Sequence, residues 1–134
     1  MAKPKKILYE NQSQVKAHIL DMIMNTFSNF KEVYLIGSLI EGRFGVYEEP
    51  WRDHGGQIHT GSDVDLVLFG VTNIPSSFRK LLEREHCIIY YVDTVVFEKN
   101  SHVVEAIVVK NDAISNEVMR EMLKEKNSEL IVRN

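Results

Sequence analysis

Two aspartates, Asp63 and Asp65, flank a single valine at the mouth of the apolar run Leu66-Val67-Leu68-Phe69. If that run is a strand, its two-residue period aims both carboxylates at one side of a sheet. Like charges held that close repel unless a cation lies between them. Oxygen ligands of this kind suit a hard divalent ion, Mg2+ or Mn2+, which commonly takes one or two carboxylates together with the phosphates of a substrate. A second apolar run, Val33-Tyr34-Leu35-Ile36, passes directly into Gly37-Ser38 at the start of a short candidate helix over 38–43. Unpaired N–H groups and the Ser38 hydroxyl can hold phosphate oxygens there. Read alone, Gly37 makes a turn and Ser38 caps the helix.

The order Gly37-Ser38, a connector, then Asp63-Val64-Asp65 resembles the signature of the nucleotidyltransferase superfamily, which includes DNA polymerase beta and the aminoglycoside nucleotidyltransferases. The short chain is most similar to the minimal nucleotidyltransferases, and the resemblance covers residues 33–97. It implies an α/β (α+β) fold, a small mixed sheet flanked by helices. It also implies a third carboxylate on a neighbouring strand, for which Asp93 is the matching position and Glu98 the fallback. Asp63, Asp65 and Asp93 would then bind the metal ions, with Gly37 and Ser38 on the triphosphate. Leu39 and Glu41 stand where relatives commonly carry basic residues, so Arg43 is the candidate for the missing charge.

The implied reaction moves a nucleoside monophosphate from an NTP, ATP first among them, to an acceptor hydroxyl and releases pyrophosphate. Minimal members are often encoded with a helical HEPN partner and can act as antitoxins that adenylylate it. A protein acceptor or self-association is therefore expected to complete the cleft. The competing expectation is a module of the same fold that holds a nucleotide or partner without turnover. A third is an ordinary α/β domain whose Asp-x-Asp is a surface turn.

At 134 residues the chain is one domain by length and can bury about two thirds of its unfolded surface without staples. A formal net charge of −3 speaks against gripping long nucleic acid by bulk attraction, which needs clustered Lys and Arg. Cys87, the single cysteine, cannot form an internal disulfide, which fits a reducing cytoplasm. Neither a secretory signal nor the roughly eighteen consecutive apolar residues of a membrane span are found.

The elements that must position these groups follow from periodicity. Residues 1–10 read as a loose basic arm. Val15, Ile19, Met22, Ile23 and Phe27 make the stripe of a helix over 13–28, with Asn11 or Ser13 as its cap. The connector 44–60 reads as loop or small hairpin turning at Gly55-Gly56. One reading makes it a lid, with Trp51 or Tyr47 stacking on a base and Arg52 meeting phosphate. The other packs Trp51 on the domain. His54 and His59 near Asp53 lack zinc-ligand spacing and read as solvated. A helix over 76–85 with Phe78, Leu81 and Leu82 inward, a central strand over 86–97, and helices over 101–109 and 115–126 complete the prediction. Residues 130–132 form an apolar tail.

Overall fold

The computed structural model describes residues 3–134, a mixed α+β arrangement with two sheets and, among the described residues, three helices. Met1 and Ala2, the start of the expected arm, lie outside the described residues. The remainder of that arm is not loose. Lys6–Leu8 is strand β1, which pairs antiparallel with β3 (Gly45–Arg52), and β3 pairs in turn with β4 (Ile58–Gly61). The connector is thus the expected hairpin, with Gly56 at positive φ in its turn.

The larger sheet has six strands in the order β6-β7-β8-β5-β2-β9. Its centre is β2 (Glu32–Ile36) antiparallel to β5 (Val64–Phe69), and β5 parallel to β8 (Asn100–Val109). Alternation along β5 separates the two faces. Val64, Leu66 and Leu68 point to helix α1 (Gln12–Phe27), which buries Val15, Ile19, Ile23 and Phe27 against them. Val67 and Phe69 point to α3 (Ala113–Lys124), which contributes Met119 and Leu123. Caps set both helix starts: Asn11 accepts from the Gln14 N–H, and Asp112 accepts from that of Ser115. The Gly37-Ser38 turn opens α2 (Ser38–Glu41), whose Leu39 is buried in the α1-side core.

Two expected helices are strands. The segment expected as a helix over 101–109 is β8, joined to β7 (Cys87–Phe97) by the two-residue turn Glu98-Lys99, both at positive φ. Its valines pack on both faces of a central strand, and β-branched side chains favour that backbone over a helix. The segment expected as a helix over 76–85 contains β6 (Arg79–Glu83), a fully exposed edge strand. Good helix formers there are overridden by the unpaired edge that β7 presents, and only Phe78 reaches the core. The apolar tail belongs to β9 (Ser128–Arg133), which pairs with β2 and closes the other edge. Among the described residues no helix is long and apolar enough to cross a membrane.

Candidate metal centre

The register of the large sheet builds the site. Asp65 on β5 is the partner of Glu105 on β8, and Glu105 is the partner of Tyr91 on β7. Asp63 precedes β5 by one residue and shares the parity of Asp65. Asp63, Asp65 and Glu105 each offer a carboxylate oxygen within 4.8 Å of the other two. These are hard oxygen donors on adjacent strands, the donor set for Mg2+, Mn2+ or Ca2+.

Their environment opposes three bare charges. Burial, then the charges of Asp63 and Glu105, push the Asp65 carboxyl up to about 7. Burial also raises Asp63, against the pull of His59, and raises Glu105, which Asp63 raises further. Asp63 Oδ1 is buried with no hydrogen-bond partner. A buried carboxylate oxygen without a donor is costly, and a cation is the partner that relieves both the missing bond and the mutual repulsion. The three residues therefore fit a divalent ion.

Gly37 lies directly against this group. Its φ is +86°, and a Cβ there would meet Asp65 Oδ2 at 3.0 Å. Both the left-handed backbone and the close approach exclude a larger residue without adjustment. Ser38 follows, so the expected glycine-serine turn and the aspartate pair do come together.

Asp93 does not join them. A bulge in β7 places both Val92 and Asp93 opposite Val104, whereas an unbroken ladder from the Tyr91–Glu105 pair would set Asp93 opposite Val103. The extra residue reverses the parity of the strand. Asp93 is exposed, and its Oδ1 accepts from the Thr94 N–H. Glu98, the fallback, occupies the exposed β7–β8 turn. Glu105 takes the third place. Its signal was legible as one acid inside an apolar run, Val104-Glu105-Ala106, matching Val64-Asp65-Leu66 in form.

Arg43 is exposed and donates to Glu41 Oε1, so its charge is already engaged by a neighbouring acid. Lys6 is also close enough to matter: burial, then Arg43 and Lys3, lower its amine, while Asp63 and Glu41 raise it. Trp51 is not open for stacking on a base. Its ring already stacks on His59, with centroids 4.6 Å apart and planes at 23°, and the Lys3 ammonium lies over it at 5.2 Å. Arg52 is exposed and donates to the Gly56 carbonyl. His54 is exposed as expected; His59 is buried, contrary to the solvated reading.

A second histidine fixes the approach to Asp63. His102 is fully buried, with Nδ1 2.8 Å from the Ser62 carbonyl oxygen and Nε2 2.7 Å from the Tyr9 hydroxyl. Burial lowers its pKa, so Nδ1–H donates to Ser62 and Nε2 accepts from Tyr9. A Cβ on Gly61 would sit 2.7 Å from the His102 ring, so this contact requires glycine. A cavity of about 490 Å³ adjoins Glu105, bounded by Gln57 in the hairpin turn and by Arg79, Leu82 and Ile89 on β6 and β7.

A scan against protein-family models finds no match, and searches among curated proteins and among solved structures find none either.

Proposed function

We propose that the protein is a divalent-metal-dependent nucleotidyltransferase that moves a nucleoside monophosphate from an NTP, ATP first, to an acceptor hydroxyl. The observation that carries this reading is the convergence of Asp63, Asp65 and Glu105, partly buried, mutually repelling and short of a partner at Asp63 Oδ1, against the Gly37 turn. The same convergence supports a nucleotidyltransferase-like fold, since the acids sit on or beside two adjoining strands, β5 and β8, and the glycine-serine turn ends the next, β2. Glu105, rather than Asp93, completes the triad in this proposal.

Bound divalent ions would neutralise the triphosphate and make the acceptor hydroxyl more acidic. Asp63, Asp65 and Glu105 hold that charge in place, and Gly37 lets backbone approach phosphate without a side chain between them. Lys6 and Lys3 supply positive charge near Asp63 where Leu39 and Glu41 do not. The cavity beside Glu105 has the volume of an ordinary ligand site and lies across Asp65 from the Gly37 turn. It gives room for an acceptor or nucleoside. A helical HEPN-type protein, or a second copy of the chain, would complete the cleft, and action in the cytoplasm suits the lone buried Cys87.

The second reading is a binding module without turnover. It is favoured by Leu39, which is committed to the core, and by Glu41, which occupies Arg43. Calorimetry with Mn2+ and each NTP, followed by transfer from α-labelled ATP to co-purified protein, separates the two. Label on protein or a small acceptor supports the enzyme; metal-dependent ATP binding without label supports the module; no metal binding removes both.

A further inference from the structure

Outside the three carboxylates, one cluster is not explained by packing alone. His59, on β4, is 8% exposed, yet both its nitrogens face acids. Nε2 lies 2.8 Å from Asp53 Oδ2, and Nδ1 lies 3.4 Å from Asp63 Oδ2. The buried His102 spends its ring nitrogens on a backbone carbonyl and a phenol, the ordinary way to satisfy a core imidazole. His59 instead spans two carboxylates, one on the hairpin turn and one in the metal centre. Trp51 stacked on its face keeps the ring from swinging, and Asp53, which also accepts from the Gln57 N–H, is itself tied to the turn.

Resting on the metal-site reading above, we propose that His59 is a positioning residue for Asp63: the ring, pinned by Trp51 and Asp53, holds Oδ2 and leaves the unpartnered Oδ1 to take the cation. The physical need is plain. Asp63 is repelled by Asp65 and Glu105 and has two side-chain torsions through which to turn away. A contact on the oxygen not used for the metal opposes that rotation before any ion arrives. Partners of this outer kind are typically worth about 10- to 100-fold in metal affinity. The β3–β4 hairpin thereby becomes part of the metal centre although none of its residues would touch the ion.

The test measures Mn2+ affinity by calorimetry on the full chain for wild type, His59→Asn, His59→Gln and Asp53→Ala, with thermal melts confirming the fold. The amide nitrogen of asparagine falls near the place of Nδ1, that of glutamine near the place of Nε2. His59→Asn is expected within about threefold of wild type and His59→Gln about 10- to 100-fold weaker. A His59→Gln protein that binds as tightly as wild type, or equal losses in the two amides, overturns the inference. Should either amide variant fail to fold, Asp53→Ala on the exposed turn decides: several-fold weaker binding supports the role, and unchanged affinity overturns it. A wild type that binds no Mn2+ removes the metal reading and this inference with it. A binding wild type with insensitive variants removes the inference alone.

Discussion

Two carboxylates on the α3 side of the large sheet, at opposite ends of the β2–β5 pair, have opposite fates. Glu32 begins β2, and Arg120 on α3 donates to both its oxygens, at 2.7 and 2.8 Å, while the Tyr34 hydroxyl adds a third bond at 2.6 Å. The Arg120 hydrogen bonds are the main cause of its carboxyl falling to about 2. Asp65, near the start of β5, is pushed the other way, to about 7, by burial and two further acids. The contrast teaches that partial burial does not by itself decide the charge of an acid; the partner does. A guanidinium bonds the acid at one end, whereas at the other the nearest cations, Lys126 among them, act on Asp65 too weakly to offset burial and the two neighbouring acids.

The largest effect that would break this comparison belongs to Asp65→Asn. In the folded, metal-free protein Asp65 keeps its proton at pH values where the unfolded chain has lost it. Its contribution therefore weakens as pH rises from about 4 to about 7 and stays low above that. Asparagine cannot ionise, so the variant should be more stable than wild type by roughly 2–4 kcal/mol at about pH 8 and little different at about pH 4. Urea unfolding at both values measures it, and equal stability at the higher pH contradicts the raised carboxyl. Mn2+ binding should be lost in the same variant.

Next in size, Mn2+ at about a hundred times its Kd should stabilise wild type by about 2.7 kcal/mol. Chelation should reverse the gain. Below neutral pH, binding should also release protons, seen as a buffer-dependent heat. At the other end of the sheet, Arg120→Ala should cost about 2 kcal/mol near neutral pH. The Glu32 part of that loss should fade as pH falls through about 2, since a lowered carboxyl stabilises only while ionised. The remainder is the contact of the guanidinium with the Phe69 ring, at 3.9 Å. Gly37→Ala should cost about 1 kcal/mol through its positive φ and weaken nucleotide binding more than Mn2+ binding. Smallest of all, Asp93→Asn should change stability by less than about 0.5 kcal/mol and leave Mn2+ affinity unaltered. A clear loss there would return Asp93 to the site.

What could be read from the chain alone was whatever its local pattern decides. The α1 stripe, the two short strands around the glycine-serine turn, and the facing of Asp63 with Asp65 all follow from periods of a few residues. Glu105 escapes the sequence reading because a helix over 101–109, the expectation that the resemblance favours, hides the β preference of the valines around it. Once that strand was lost, so was its acid. The Val92 bulge is a property of pairing between β7 and β8, and no pattern within β7 announces it. Similarly, β6 is a strand only because a neighbour needs an edge partner, and His59 is buried only because Trp51 folds back over it.

The link from Tyr9 through His102 to the Ser62 carbonyl joins the chain's opening residues to the loop that carries Asp63. A protein shortened to start at Glu10 would forfeit β1 and the phenol at the head of this link. Such a truncation would remove Tyr9 from the α1-side core and leave the Ser62–Asp63 loop without that support, so the start of the chain helps to position the acids.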